Sequence, residues 1–191
     1  SQSGETADTL AALKEAKKRG SHTLAIVNVV GSSIANAADD VIYTWAGPEI
    51  AVATTKGYST QLSVLYLFAV WAARLLKTAD NARLDKIFDD ILMLPELTER
   101  VILAEPQIKE MAKHCGDPKS LFFIGRNIDY AVSLEASLKL KEISYIHSEA
   151  YAAGELKHGT ISLIEEGRTV IALAAYEELF DKLLSNIKEV K

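Results

Sequence analysis

The sequence predicts an α/β fold in which parallel sheets are covered by helices on both faces, arranged as two successive copies. Three observations lead there. Short apolar runs alternate with helix-like segments, as in parallel sheets whose strands are buried on both sides. The alternation occurs twice, on either side of a purely helical stretch. In each copy a turn of small or polar residues opens a helix, the position at which open sheets of this kind take ligands.

The opening residues SQSGET are small and polar and feed a helix over 7–19, which Gly20 stops. TLAIVNVV (23–30) reads as a strand bounded by Gly31-Ser32-Ser33, and VIYTW (41–45) as the next, with a short helix over 34–39 between them. Residues 60–77 read as a long buried helix, and 82–114 as one or two amphipathic helices interrupted at Pro95 and Pro106. LFFI (121–124), capped by Gly125-Arg126-Asn127, restarts the alternation. A helix over 129–145, a strand over 169–174 and a last helix over 177–190 complete it. The expected organisation is a first domain over 1–79, a helical linker region over 80–118 and a second domain over 119–191. An open parallel sheet normally has a strand delivering its ligand loop, whereas this chain starts inside such a loop and stops in a helix. It therefore reads as an excerpt, with each sheet incomplete.

Composition narrows the function classes. At 191 residues, 49% hydrophobic and 25% charged, the chain can bury a sizeable core and is not expected to be disordered. A net charge of -5 provides no broad basic field, so nucleic acid is not an expected partner, and any phosphate must be held locally. The longest apolar runs, such as 63–73, stop short of the roughly 20 residues that span a bilayer, and no charged-then-apolar leader opens the chain. No membrane association and a cytoplasmic location follow as expectations. Cys115 is the only cysteine, which excludes internal disulfides and thiolate zinc clusters. No nucleophile motif surrounds it, and no cofactor or metal is expected.

Three clusters carry the chemistry. Ser1, Gln2, Ser3 and Thr6 precede a helix whose first backbone N–H groups are free, a place where an anion fits. The same residues also suit a helix cap, with Ser3 at the N-cap and Thr6 three positions on. Four hydroxyl or amide groups in six residues exceed what one cap needs and suit a phosphate monoester. AVATTKGYSTQ (51–61) is a second small-residue loop opening a helix; it is either a plain N-terminus or a loop that turns Thr54 or Thr55 toward the same crevice. Most specific is 135–159. Glu135, Lys139 and Glu142 share one helix face at spacings of four and three, as a surface ion-pair ladder or as acid-base groups, while Lys141 lies on another face. His158 follows, among small residues and glycines, as a structural or a catalytic histidine. His22, His114 and His147 lack comparable settings.

SQSGETADTL, VATTKGYSTQL and KLKEISYIHSEAYAAGELKHG, in that order, resemble the isomerase region of the glutamine:fructose-6-phosphate amidotransferase family. That region is built from two sugar-isomerase (SIS) domains, which are three-layer and flavodoxin-like. The likeness runs end to end. It implies that Ser1, Gln2, Ser3 and Thr6 bind the phosphate of fructose 6-phosphate and that Thr54 contacts the sugar. By the same resemblance Glu142 moves a proton between C1 and C2, Lys139 assists proton transfer at the sugar oxygens, and His158, reaching in from a neighbouring subunit, opens the ring. A homodimer, a separate glutaminase domain that supplies ammonia, and glucosamine 6-phosphate as product are implied with them. Thr54 departs from the family's usual serine but keeps the hydroxyl, and Thr160 stands where a proline commonly follows His-Gly. Three family parts lie outside the sequence: the glutaminase domain, a first strand with a Gly-Thr-Ser loop, and a C-terminal tail whose lysine forms a Schiff base with the sugar. A related SIS sugar-phosphate deglycase or deaminase, or a non-catalytic sugar-phosphate sensor, remains open on these residues. The sensor would need the first loop but not Lys139, Glu142 and His158.

Overall fold

The computed structural model describes residues 1–115 and 118–190, and the chain forms two compact units, Ser1–Leu103 and Ala104–Lys191. In the first unit the opening loop leads into α1 (Ala7–Lys18), then β1 (Leu24–Val27), α2 (Ser33–Ala37) and β2 (Asp40–Tyr43). Gly20, at φ +84°, provides the left-handed stop. The strands pair in parallel, Leu24 beside Asp40 through Val27 beside Tyr43. Ala25, Val27, Ile34 and Ala35 are buried at their centre, with Leu10, Leu13, Val41 and Tyr43 packed around them. The first strand is shorter than its apolar run because Asn28 leaves the ladder. Its side-chain Oδ1 accepts from Thr44 Oγ1 and the Ala46 N–H, and its own N–H bonds the Gln2 carbonyl.

Three helices follow: α3 (Lys56–Leu76), α4 (Asn81–Leu92) and α5 (Leu94–Leu103). The expectation that 60–77 is a buried helix needs correction. The helix forms, but among its residues only Gly57 and Val70 are buried, and Trp71, Leu75 and Leu76 are exposed. Apolar periodicity marks the face that a helix can bury; it does not supply the element that covers it. The helix also starts four residues earlier than expected, so at 21 residues it is long and apolar enough to cross a membrane by length and composition. The apolar run 63–73 understated it, because hydroxyl and amide residues of the first turns join the same helix. The prolines begin helices rather than merely interrupt one. Pro95 stands second in α5 and Pro106 second in α6 (Glu105–Lys113), where their missing N–H groups cost no helical bond.

The second unit contains α6, β3 (Ser120–Gly125), α7 (Ile128–Ser144), β4 (His147–Ala152), two short 3-10 helices (Ala153–His158 and Thr160–Leu163), β5 (Thr169–Ala172), a third (Glu177–Leu179) and α8 (Phe180–Glu189). Its sheet runs β4-β3-β5, parallel throughout, with Leu121 beside both Ser148 and Thr169. The central strand β3 is buried from Leu121 to Gly125. Ile124, Ala153, Leu156 and Leu183 form the core. Strand β4 has no counterpart in the sequence reading, since HSEAYA holds no apolar run. It is held instead by small polar groups: Ser148 is fully buried and bonds both the hydroxyl and the carbonyl of Ser137 on α7, at 2.9 and 2.8 Å.

Candidate functional site

The opening loop of the first unit is bound on three sides by backbone hydrogen bonds. The Ser1 nitrogen donates to the Ile26 carbonyl, the Asn28 N–H to the Gln2 carbonyl, and the Ile34 N–H to the Gly4 carbonyl at 2.9 Å. Gly4 sits at φ +70°, and a β-carbon there would lie 2.0 Å from Ser32 Oγ, so only glycine permits this approach. Within the loop the hydroxyls of Ser1 and Thr6 are 2.8 Å apart, and Ser1 Oγ accepts the Gly4 N–H. Ser3 is not the N-cap of α1. That position belongs to Thr6, whose side chain makes no capping bond, while Ser3 Oγ accepts the Glu5 N–H at 3.2 Å. Thr6 and Ser3 are both exposed, and the positive end of α1 opens toward them. Glu5, which lies outside the hydroxyl pattern, caps α2 instead by accepting the Ser33 N–H at 2.8 Å; hydrogen bonding from the Ser33 side chain, and next from its backbone, holds the carboxyl below the usual range.

The second loop meets the first. Thr54, in the left-handed region at φ +46°, and Gly57, in the first turn of α3, stand against Gln2. A β-carbon on Gly57 would be 2.7 Å from Thr54 Cγ2 and 2.9 Å from Gln2 Oε1. Gln2 Oε1 is buried with no hydrogen-bond partner in the structure. The first unit thus places Ser1, Gln2, Ser3, Thr6 and Thr54 around one loop pair. Gly57 was legible only as part of a helix start; its role as the contact point needed the fold.

In the second unit Glu135, Lys139 and Glu142 lie along α7 as their spacing implies. Lys139 Nζ is 2.5 Å from Glu142 Oε2 and 3.6 Å from Glu135 Oε1; Glu135 and Lys139 are half-buried and Glu142 is exposed. The hydrogen bond to Glu142, followed by the charges of both glutamates, raises the lysine above its ordinary pKa. An ammonium held against a carboxylate on a partly shielded surface is an arrangement for proton transfer as well as for an ion pair. His158 ends the Ala153–His158 turn with its side chain 75% exposed, and Nε2 lies 3.7 Å from Glu155 Oε2. Ala153 and Leu156 of the same turn are fully buried, so the imidazole projects from an anchored base. On β4, Tyr151 stacks on Phe122 of β3, and its hydrogen bond to Glu149 raises its pKa to about 12. Among the described residues no group of three or more His, Cys, Asp or Glu side chains is placed to hold a metal ion.

A family model described as the SIS domain matches residues 1–71 and 116–191. Among curated proteins the chain is 59% identical over 190 residues to the glutamine--fructose-6-phosphate aminotransferase [isomerizing] of Clostridium tetani. It is 57% identical over 191 residues to that of Caldanaerobacter subterraneus. Each match takes in the whole of this chain and 31% of the relative, so the chain spans about a third of their length. Among solved structures, the C-terminal domain of glucosamine-fructose-6-phosphate aminotransferase from Francisella tularensis superposes with a TM-score of 0.95 at 39% identity. That match covers all of this chain and 54% of the other.

Proposed function

The chain belongs to the SIS domain family, and from that premise we propose that it is the isomerase part of a glutamine:fructose-6-phosphate aminotransferase, the enzyme that makes glucosamine 6-phosphate. The observation that carries this most is the 59% identity over 190 residues to a relative of that name. Two SIS domains in tandem, 1–79 and 119–191 about a helical region over 80–118, belong to the same reading. So do a glutaminase domain elsewhere in the complete protein, a homodimer and a cytoplasmic location.

The roles follow from the chemistry. Ser1, Gln2, Ser3 and Thr6 hold the phosphate at the open end of α1, where a dianion meets hydroxyl donors and the positive end of a helix. Thr54, against Gln2, holds the sugar. His158, reaching a partner subunit, opens the furanose: the C2 hydroxyl gives up its proton, C2=O forms as the C2–O5 bond breaks, and O5 takes a proton. One imidazole can take the first proton and return the second. After ammonia replaces the C2 oxygen as an imine, Glu142 removes a proton from C1. The C1=C2 bond forms and the imine nitrogen gains a proton. Return of a proton to C2, with loss of the proton on the C1 oxygen, leaves an aldehyde and an amine. Lys139, held protonated beside Glu142, serves the oxygen sites.

The complete gene product, given fructose 6-phosphate and glutamine, should form glucosamine 6-phosphate. Glu142→Gln should keep sugar-phosphate binding and slow product formation about 10²- to 10⁴-fold. Unchanged turnover in that variant removes Glu142 from the mechanism, and binding without amination in the parent favours a deglycase or a sensor.

A further inference from the structure

The turn that presents His158 is restrained by a polar chain that the proposed mechanism does not use. It starts at Arg126, in the turn after β3. The Arg126 guanidinium lies over Gly154, so closely that a β-carbon on that glycine would be 3.1 Å from Nη2 and 3.4 Å from Cζ. Arg126 Nε–H donates to Asn186 Oδ1 at 3.0 Å, and Asn186 Nδ2 donates to Glu189 Oε2 at 3.2 Å. Glu189 Oε1 then pairs with Lys157 Nζ at 2.8 Å. The carboxyl of Glu189 is held below its usual range, chiefly by the Lys157 hydrogen bond and next by Asn186. Both ends of the Ala153–His158 turn are therefore restrained: Gly154 by the close approach of the Arg126 guanidinium, and Lys157, the neighbour of His158, by its ion pair with Glu189.

Apolar burial alone does not account for this arrangement. Ala153 and Leu156 set the depth of the turn, but hydrophobic contacts are non-directional, and a 3-10 turn has weaker internal hydrogen bonds than an α-helix. Orientation has to come from directional groups. Asn186 is the hub, 5% exposed, with its carbonyl facing a guanidinium and its amide facing a carboxylate.

We infer that Asn186, acting through Arg126 on Gly154 and through Glu189 on Lys157, is a positioning residue that aims His158 for ring opening. This rests on the aminotransferase reading and on the role given there to His158. Its consequence is selective. Ring opening should suffer when the clamp is cut, while phosphate binding by the opening loop and proton transfer at Glu142 should not.

The test compares two substrates in the complete enzyme. Fructose 6-phosphate exists mainly as a closed ring, whereas 5-deoxyfructose 6-phosphate lacks the hydroxyl that closes it and stays open. In Asn186→Ala, kcat for fructose 6-phosphate should fall about 10- to 100-fold with KM unchanged. Turnover of the open-chain analogue should stay within about two-fold of the parent. His158→Ala should show the same pattern, and the double variant should be no worse than His158→Ala alone. Arg126→Met, at a half-buried side chain, carries the same test if Asn186→Ala does not fold. Equal losses on both substrates would make the clamp merely structural, and no loss on either would leave it without a role; each overturns the inference. A parent enzyme that converts neither substrate removes the aminotransferase premise instead, and is told apart by that control.

Discussion

The turn that opens α1 and the turn that opens α7 each begin a helix of their unit, yet one is left open and the other is filled by the chain itself. At α1 the N-cap Thr6 makes no side-chain capping bond, and the hydroxyls of Ser1 and Thr6, hydrogen-bonded to each other, cluster beside the first helical N–H groups. At α7 the turn is shut: a β-carbon on Gly125 would lie 2.5 Å from the carbonyl carbon and oxygen of Asp129. The Asp129 carboxylate, 6% exposed in the first turn, already supplies the negative charge that a helix start attracts and accepts the Tyr176 N–H at 3.0 Å. A helix N-terminus is a generic feature. Both helices carry an aspartate at their second position, but Asp8 is exposed whereas Asp129 is buried and hydrogen-bonded, so only the start of α1 stays open to a ligand.

The closed turn is most sensitive at Gly125. Gly125→Ala drives a β-carbon into backbone that cannot swing aside, and denaturant unfolding of the complete protein should show a loss of more than about 4 kcal/mol. Asp129→Ala comes next. It leaves the part-buried Tyr176 N–H without its acceptor, so the same measurement should show about 1–3 kcal/mol lost, with the affinity for fructose 6-phosphate unchanged. A drop in affinity would mean that the second turn also serves the ligand. The converse change, Ser3→Ala with Thr6→Val, should weaken sugar-phosphate binding about 10-fold by calorimetry, near 1.4 kcal/mol, while leaving unfolding almost unmoved. Binding unaffected by that pair would take the anion site away from the opening loop.

The smallest effect lies away from both turns, at the start of β1 and β2. His22 Nε2 is 2.6 Å from Asp40 Oδ2, and this bond raises the histidine above its ordinary 6.5, with Asp39 adding to and Lys17 opposing the shift. A raised folded-state pKa stabilises the fold fully below about 6.5 and stops doing so as pH rises through the raised value. His22→Gln should therefore lower the melting temperature slightly at pH 6 and not at pH 9. The pair is exposed, so the shift should be small.

Much of the geometry of the candidate site was legible because it depends on local spacing. Lys139 falls between Glu135 and Glu142 on one face because a helix turns every 3.6 residues, and the structure pairs them as that period requires. The hydroxyl loop before α1 was visible as a cluster of donors, although the choice of Thr6 over Ser3 as N-cap was not, since capping depends on the backbone path through Gly4. Strand β4 escaped notice because it has no apolar run, and the backbone ladder that sets it beside β3 and the Ser148 bonds that tie it to Ser137 on α7 are contacts that no period encodes. Helix α3 was found but wrongly taken as buried.

What the sequence determined by itself was whatever follows from neighbours along the chain: helices and most strands, the two-fold alternation, the Glu135-Lys139-Glu142 face and the glycine stop at Gly20. Tertiary structure alone decided how Gln2 meets Thr54 and Gly57, how Arg126 and Lys157 are tied to α8 through Asn186, and which helix N-terminus is closed. Those outcomes rest on close approach between residues distant in the chain. Packing at van der Waals contact, as at Gly4, Gly57 and Gly125, is set by the whole fold rather than by any stretch of it.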